Sequence, residues 1–454
     1  MIQNIIQKQR RFFKNNQTKA IDFRIKKLKA LKKSIESKEG KILNALSQDL
    51  GKSDFEAYSS EVGFVLESIS YTLKNIKKWS RPERKRRPLF MPSSKSILYY
   101  EPHGLVLIVG PFNYPFHLVI EPLIGAIAAG NTAILKPSEK TPETVSVIKE
   151  IINEIADEEY LAVVEGGKEV VQELLHSPID YIFFTGSTKV GKIVMQAAAE
   201  QLIPLTLELG GKSPTIVHKD ADIEKAAARI VWGKFYNLGQ TCIAPDYLYV
   251  HEEVKEALLE KLTEKITAFY GDQPIDSPDY GRMIDQGSFE RVSSLIDQKK
   301  VYYGGKSHEE DLKIAPTILS EVDWSDSVMQ DEIFGPILPV LSYQEIDEVF
   351  SVIEEKPRPL AFYLFTEDKE LEKRAIHEIP FGGGAINDTL SHISSPRLAF
   401  GGTGQSGMGS YHGKASFETF SHKKAMMKKS TLFDIPFIYP PYKGKLKFLK
   451  KIMN

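Results

Sequence analysis

From residue 104 onward, the chain alternates short apolar runs with stretches of helical periodicity. Each run ends at a glycine, a proline or a polar residue, and the runs are Val106–Val109, Ala133–Leu135, Leu161–Val164 and Tyr181–Phe184. Strands covered on both faces by crossover helices have this pattern, because neither face contacts water. The sequence therefore predicts an α/β fold with a parallel sheet, in which ligands bind beyond the carboxyl ends of the strands.

After Gly210 a looser version of the same alternation begins. The expected strands are Pro214–Val217, Tyr247–Val250 and Ile337–Leu341, with helices over about 221–237 and 252–269 between them. A chain of 454 residues is also too long for one ordinary hydrophobic core. We therefore expect a second α/β domain, with a mostly helical segment over residues 1–79 ahead of the first one.

The composition is that of a globular protein, with 26% charged residues and a net charge of -1. That balance gives no indication of a nucleic-acid partner. The single cysteine excludes an intrachain disulfide and fits a reducing compartment. We find neither a signal peptide nor a run of about 20 apolar residues, so we expect a cytoplasmic location.

The last segment, residues 429–454, is basic and contains many apolar side chains. Residues 423–454 carry nine Lys against one acid, Asp434. Such a segment can lie on an anionic membrane surface. It can also be a solvated helix face or a tail packed on the protein body, because lysine stems cover apolar surface. Peripheral membrane contact is therefore one of two hypotheses for this tail.

Polar residues follow several predicted strands of the first sheet, where ligands are expected. The amide of Asn113 can stabilise an oxyanion or cap the following helix. Lys136 and Glu139 can bind ribose hydroxyls or form a surface ion pair. Residues 186–191 lead into a helix predicted over 192–201, and a helix N-terminus attracts phosphate. A plain strand-to-helix turn explains them as well, because their spacing is not G-x-G-x-x-G.

Two further residues have the chemistry of a nucleophile and a base. Cys242 is the only cysteine, and Glu208 lies in a second glycine-bounded motif. A free thiol with a pKa of about 8.5 is only a few per cent thiolate at pH 7, so it needs activation. The alternative is a buried cysteine that acts as a small hydrophobe. Glu332 and Phe334 precede a Gly-Pro pair. They can contact a flat cofactor, or they can belong to an ordinary loop with a buried phenylalanine.

Seven motifs follow one another along the chain. They are Pro-Phe-Asn-Tyr-Pro, Lys-Pro-Ser-Glu, Phe-Thr-Gly-Ser-Thr-x-Val-Gly, Leu-Glu-Leu-Gly-Gly-Lys, Gly-Gln-Thr-Cys, Glu-Ile-Phe-Gly-Pro and Ser-Gly-Met-Gly-Ser-Tyr-His-Gly. In this order they resemble the aldehyde dehydrogenase superfamily. The resemblance runs from about residue 40 to residue 425, and segments around Trp232 and over 409–420 resemble its class 3 branch.

The resemblance implies a reaction for three residues. Cys242 would attack an aldehyde carbon, while Asn113 and the backbone N–H of Cys242 would hold the oxyanion. Hydride transfer to a nicotinamide cofactor would leave a thioester, which a water activated by Glu208 would hydrolyse. The implied function is NAD(P)-dependent oxidation of a medium- or long-chain aliphatic aldehyde, or of an aromatic one, to the acid.

The resemblance also implies a cofactor site and no metal site. The cofactor residues would be Lys136 and Glu139 at the adenosine ribose, Gly186, Ser187, Val190 and Gly191 along the pyrophosphate, Glu332 at the nicotinamide ribose and Phe334 beside the nicotinamide. NAD is the expected cofactor, because the carboxylate of Glu139 repels a 2′-phosphate, and NADP is the alternative.

Domain boundaries follow by the same analogy. The cofactor-binding domain would be 1–81 with 104–209, and the catalytic domain would be 210–404. Residues 82–103 and 415–428 would be bridging strands used in a homodimer. Phe112 stands where the family usually has tryptophan, and residues 392–399 differ from the class 3 wording near the substrate entrance.

Two other functions compete with this hypothesis. A coenzyme A-dependent acylating dehydrogenase has the same fold, but such enzymes generally lack the glutamate at position 208. A catalytically idle, membrane-associated scaffold would use the basic tail and would not need Cys242.

Overall fold

The computed structural model describes residues 2–88, 94–432, 434 and 436–453. These residues form two α/β domains, a small antiparallel sheet and a C-terminal tail. Residues 89–93, in the predicted bridging strands, lie outside the described part, as do Phe433, Ile435 and Asn454 of the predicted tail.

The first domain contains a six-stranded sheet. In spatial order its strands are Gly407–Met408, Leu205–Glu208, Tyr181–Thr185, Leu105–Val109, Thr132–Lys136 and Leu161–Val163. The first strand is antiparallel to its neighbour, and the other five are parallel to one another. The three central strands are buried along their whole length, because helices cover both faces. The prediction of a buried parallel sheet is confirmed.

Helices pack on both sides of this sheet. They are Ile2–Lys14, Ile21–Ser37, Glu39–Leu50, Asp54–Ala57, Gly63–Trp79, His117–Ala129, Pro142–Ile155, Lys168–Leu175, Thr188–Glu200 and Lys414–Thr419. A wider helical turn, Tyr58–Val62, joins Asp54–Ala57 to Gly63–Trp79. Every residue of His117–Ala129 is buried, as expected of a helix that is apolar on all sides.

The second domain contains a seven-stranded sheet. In spatial order its strands are Val301–Tyr303, Thr317–Leu319, Ile337–Tyr343, Tyr247–His251, Pro214–Val217, Ala361–Phe365 and Gly383–Ile386. Only the first pair is antiparallel. Its helices are Ile223–Phe235, Lys255–Tyr270, Gln286–Ser293, Ile346–Glu355 and Lys369–Glu378, and a hairpin pairs Ser307–His308 with Lys313–Ile314. The predicted second α/β domain is confirmed.

The small sheet is antiparallel and consists of Glu83–Lys85, Ser94–Pro102 and Ser421–Lys429. The predicted strand over 415–428 is wrong at its start, because Lys414–Thr419 is a helix. Ser416 and Phe417 of that helix and Phe420 just after it are buried. Their spacing of three and four residues puts these side chains on one helical face.

The tail beyond Lys429 contains a helix at Leu446–Met453. The rings of Phe437 and Phe448 lie 4.9 Å apart, and the side chains of Tyr442 and Leu446 are largely exposed. Over the described part of the chain, no helix is both long enough and apolar enough to cross a bilayer.

Candidate active site

A cleft of about 1330 Å³ lies between the two large sheets. Residues of both domains line it, and it brings together every predicted site residue except Gly191. The predicted residues that line it are Asn113, Lys136, Glu139, Gly186, Ser187, Val190, Glu208, Cys242, Glu332 and Phe334. Residues spread over more than 200 positions of the sequence therefore share one cavity.

Cys242 lies in a tight turn in which the N–H of Ala244 donates to the carbonyl of Thr241 at 3.0 Å. Its side chain is half-buried and borders the cleft. Burial, followed by the charges of Glu332 and Glu208, raises the pKa of the thiol well above its ordinary value. The backbone N–H groups of Cys242 and Ile243 act in the opposite direction, because they stabilise the thiolate. The thiol therefore needs a base or an added positive charge to ionise at neutral pH.

Glu208 is the last residue of its strand and is buried. Neither of its carboxylate oxygens has a hydrogen-bond partner. Burial raises the pKa of this carboxyl well above its usual range. A buried, unpartnered carboxyl is costly to maintain, so its presence beside the cleft favours a chemical role as a proton acceptor.

Hydrogen bonds fix both the side chain and the backbone carbonyl of Asn113. Its side-chain Nδ2 donates to the carbonyl of Gln240 at 2.9 Å, which leaves one N–H of the amide free. Its own carbonyl accepts from Asn237 Nδ2 at 2.9 Å and from Lys52 Nζ at 3.0 Å. The alternative role as a helix cap is wrong, because Phe116 occupies the cap position of the following helix.

Lys136 and Glu139 lie together at one end of the cleft. Lys136 Nζ donates to the carbonyl of Pro137 at 2.6 Å and to Glu139 Oε2 at 3.4 Å. The lysine is buried, whereas the Glu139 side chain is 54% exposed. Burial lowers the pKa of Lys136, and the charge of Glu139 partly offsets this. The pair is therefore not an ordinary surface ion pair, and it offers a donor and an acceptor at the cleft edge.

The helix after the 186–191 segment begins at Thr188, four residues earlier than predicted. Ser187 is its cap, and the Ser187 hydroxyl accepts from the N–H of Val190 at 3.4 Å. The N–H of Gly186 donates to the carbonyl of Glu208 at 3.0 Å, and that of Gly191 donates to Ser187 at 2.9 Å. The first-turn N–H groups without an intrahelical acceptor are those of Thr188 and Lys189.

Gly191 is the one predicted site residue that does not line the cleft, and its place along a pyrophosphate stays a prediction. A Cβ at this position would lie 2.6 Å from Leu209 Cδ2. The glycine therefore serves close packing of the helix on the chain that follows Glu208.

Glu332 and Phe334 lie on the opposite wall. The Glu332 carboxylate packs against Gly210, where any Cβ would clash with it, and accepts from the N–H of Gly211. Burial and then the charge of Asp246 raise the pKa of Glu332 to about 8. Phe334 has a φ of 49°, a strained conformation for a bulky residue. Strain of this kind is common at ligand sites.

A lysine and a carboxylate that the sequence did not indicate hold this wall in place. Lys212 pairs with Asp246 and also donates to the carbonyls of Val328 at 3.0 Å and Asp331 at 2.9 Å. Asp246 Oδ1 accepts from the N–H of Ile333 at 2.9 Å. Lys212 ends one of the motifs singled out above and Asp246 follows Cys242 by four residues, but nothing in the sequence indicated that the two side chains meet.

Thr185 is also a cleft residue that the sequence analysis missed. Its buried hydroxyl has no hydrogen-bond partner. This orphaned donor, the Lys136–Glu139 pair and the free N–H groups of Thr188 and Lys189 fit a dinucleotide with ribose hydroxyls and a pyrophosphate. Within the described residues, no group of three or more His, Cys, Asp or Glu side chains could hold a metal ion.

The other side of the cleft, beyond Cys242, is largely apolar. Its lining side chains are Phe64, Trp232, Tyr236, Leu390, Ile393 and Phe400. His117 is among the polar groups there, and burial lowers its pKa to about 3, so it is neutral near pH 7. An apolar molecule with one reactive polar end fits this wall.

Comparisons with known proteins agree with this geometry. The family model described as "Aldehyde dehydrogenase family" matches residues 1–426. The chain is 53% identical to the 4,4'-diaponeurosporen-aldehyde dehydrogenase of Staphylococcus aureus, over 97% of this chain and 96% of the relative. It is 43% identical to the dimeric, NADP-preferring aldehyde dehydrogenase of Rattus norvegicus, over 98% and 99%. A solved structure of the substrate-bound state of Staphylococcus aureus AldH superimposes with a TM-score of 0.99 at 51% identity, covering 100% of both chains.

Proposed function

The chain belongs to the aldehyde dehydrogenase family, and from this premise we propose that Cys242, Asn113 and Glu208 carry out its reaction. The chain is an NAD(P)-dependent oxidoreductase that converts aldehydes to acids. One observation carries the proposal for the residues. The thiol of Cys242 and the unpartnered carboxyl of Glu208 border the same cleft, close enough for the Glu208 charge to raise the pKa of the thiol.

In the first half of the reaction, the Cys242 sulfur bonds to the aldehyde carbon. The thiol proton leaves to Glu208, because the raised pKa of the thiol requires a base. The former carbonyl oxygen becomes an oxyanion, which accepts from the free N–H of Asn113 and from the backbone N–H of Cys242. When bound, the oxidised nicotinamide supplies a hydride acceptor and a positive charge that favours the thiolate.

The second half releases the acid. Loss of hydride from the adduct leaves a thioester on Cys242. Glu208, after returning its first proton to solvent, takes a proton from water, and the resulting hydroxide adds to the thioester carbon. The carbon–sulfur bond then breaks, the acid departs and the thiolate is regenerated. One base therefore serves both the attack and the hydrolysis.

The proposed substrate is an aldehyde with a long or bulky apolar part. The apolar wall formed by residues such as Phe64, Trp232 and Phe400 supports this, because it excludes water around a hydrocarbon chain. The aldehyde named in the Staphylococcus aureus relative is the first to test. We propose NAD as the preferred cofactor, although the rat relative is named NADP-preferring.

The test is production of the free acid from an aldehyde panel, followed by absorbance of the reduced cofactor with NAD and with NADP. Coenzyme A is left out. The unaltered enzyme should form acid, and Cys242→Ala should lose turnover by on the order of 10⁴-fold or more while still binding cofactor. Acid formation that strictly requires coenzyme A would favour the acylating alternative. A Cys242→Ala protein that keeps its cellular role intact would favour the idle scaffold.

We also propose a homodimer in the cytoplasm with peripheral membrane contact. Ser421–Lys429 is the outer strand of the small sheet and is exposed except at Ser421, so it offers an edge for another chain. The lysines of the tail and the exposed rings of Tyr439, Tyr442 and Phe448 suit an anionic surface. Sedimentation with anionic vesicles, with and without residues 430–454, tests the contact. Equal partitioning of the two proteins would contradict it.

A further inference from the structure

A buried ion pair lies behind the turn that carries Asn113. Lys52 follows the helix Glu39–Leu50, and Glu61 lies in the wide helical turn Tyr58–Val62. Lys52 Nζ and Glu61 Oε1 are 2.5 Å apart, and the exposed fractions of the two side chains are 1% and 0%. Neither residue belongs to the motifs that identify the active site.

Lys52 holds the beginning of that turn. Its Nζ donates to the carbonyl of Asn113 at 3.0 Å and lies 4.1 Å from the centre of the Tyr114 ring. The Tyr114 hydroxyl in turn lies 2.6 Å from Thr241 Oγ1, next to the nucleophile. The ammonium group therefore fixes the backbone of Asn113 relative to the loop that carries Cys242.

Glu61 holds the end of the same turn. Its Oε2 accepts from the N–H of Phe116 at 2.9 Å and from the N–H of His117 at 3.1 Å. These N–H groups belong to the start of the helix His117–Ala129 and have no intrahelical acceptor. A carboxylate is also favourable at the positive end of a helix.

A buried ion pair is weak evidence for stability, because desolvation of both charges offsets their attraction. Its retention here is better explained by what the two charges hold. We propose that Lys52 and Glu61 are positioning residues that fix Asn113, so that the free N–H of its amide points to the oxyanion beside Cys242. The inference rests on the proposed roles of Asn113 and Cys242.

The experiment measures the rate of the first burst of reduced cofactor, which reports formation of the thioester. The variant is Lys52→Met/Glu61→Gln, because removing both charges avoids an unpaired buried charge. The glutamine introduced at position 61 can still accept one backbone N–H, but the methionine introduced at position 52 cannot donate to Asn113. We expect the burst to slow by about 10- to 100-fold, because small misplacements of a catalytic group have effects of that size. Lys52→Arg, which keeps a charged donor, should recover part of the rate.

Three further measurements separate positioning from a general loss of structure. Alkylation of Cys242 by iodoacetamide needs no oxyanion, so its rate should not change in the variant. In an Asn113→Ala background, the same two substitutions should slow the burst by less than about threefold, because they act through Asn113. Lys300→Met/Asp326→Asn removes an ion pair of the second domain, with N–O distances of 2.6 and 2.7 Å, and should leave the burst unchanged.

A normal burst in Lys52→Met/Glu61→Gln would overturn this inference alone. It would also be overturned if the two substitutions slowed the burst as much in the Asn113→Ala enzyme as in the unaltered enzyme. If the unaltered enzyme forms no reduced cofactor with any aldehyde, the proposed function fails as well, and the two failures are thereby distinguished.

Discussion

The two large sheets face the cleft with opposite ends of their strands. In the first domain, Asn113, Lys136 and Glu208 lie at or just after the carboxyl ends of parallel strands. In the second domain, the two residues with predicted chemical roles in the cleft precede strands instead. Cys242 comes before Tyr247–His251, and Glu332 comes before Ile337–Tyr343.

The reason for the difference is the connection between the domains. Glu208 ends a strand of the first sheet, and Pro214 begins a strand of the second. Because the chain crosses the cleft in these few residues, the second sheet starts where the first one ends. The rule that ligands bind at carboxyl ends therefore applies to the wall formed by the first domain and not to Cys242 or Glu332. The proposed base, Glu208, and the proposed nucleophile, Cys242, therefore lie at opposite types of strand end.

The largest expected effect tests the role assigned to Glu208, which lies at the carboxyl end of its strand. Glu208→Gln should lower the steady-state rate by about 10²- to 10⁴-fold, the usual contribution of a general base. Because Glu208 also takes the thiol proton, the variant should release reduced cofactor more slowly, and the thioester that forms should persist. Mass spectrometry of the intact protein should show the acyl group on Cys242.

Glu121→Gln is the matched control for this variant. Glu121 is also buried, its Oε2 also lacks a partner, and burial raises its pKa to about 7. It does not border the cleft around Cys242. We expect its steady-state rate to stay within about twofold of the unaltered enzyme, as for substitutions outside the reacting groups. A normal steady-state rate in Glu208→Gln would remove Glu208 from the hydrolytic step.

Simple sequence rules located one wall of this site and not the other. Asn113, Lys136 and Glu139 were expected because they follow predicted strands, and the structure places all three in the cleft. Cys242 and Glu332 precede their strands, so no topological rule points to them. Their roles came from the resemblance to a family rather than from the pattern of the chain.

Contacts between distant residues were not predictable. Lys52 meets the carbonyl of Asn113 across 61 positions, and nothing local marks either residue as a partner. The helix was expected to begin after Gly191, because the glycines of residues 186–191 suggested a phosphate-binding loop. It begins at Thr188 instead, because Ser187 is its cap. Element type is a local property, whereas caps and ion pairs depend on which chain segments meet.

A smaller expected effect tests how the charge of Glu332, in the wall formed by the second domain, changes the pKa of the Cys242 thiol. Glu332 is the carboxylate that most strongly raises the pKa of the Cys242 thiol. Because the pKa is raised, the thiolate fraction should keep rising with pH through the neutral and alkaline range. Glu332 becomes charged as the pH rises through its own pKa of about 8, so Glu332→Gln should lower the pKa of the thiol and speed alkylation by iodoacetamide at pH 9 by about 3- to 10-fold. Stopped-flow alkylation across a pH series measures this.

The control for this effect is a neighbouring carboxylate. Asp331 is exposed and is not among the charges that shift the thiol. Asp331→Asn should therefore leave the alkylation rate unchanged at every pH. If Glu332→Gln slowed alkylation instead, the Glu332 carboxylate would be stabilising the thiolate through another group rather than raising the pKa of the thiol.

The smallest expected effect concerns Glu139, in the wall formed by the first domain. Its side chain is about half exposed, and water screens charges there. Repulsion between this carboxylate and a 2′-phosphate is therefore worth about 1 kcal/mol. Glu139→Gln should raise kcat/KM for NADP relative to NAD by about fivefold, with less change at high salt. Initial rates with the two cofactors measure the ratio, and exposed Glu143→Gln is the control.

The modest size of this effect sharpens the contrast between the walls. In the wall formed by the second domain, the Glu332 carboxylate raises the pKa of the Cys242 thiol, because little water screens its charge. In the wall formed by the first domain, the charge of Glu139 is screened, because its side chain is about half exposed. Cofactor choice should therefore respond to single substitutions and to ionic strength, while thiol ionisation should respond only to the buried groups. A Glu139→Gln enzyme with an unchanged NADP-to-NAD ratio would mean that Lys136 and the helix start at Thr188, rather than the charge at 139, determine the preference.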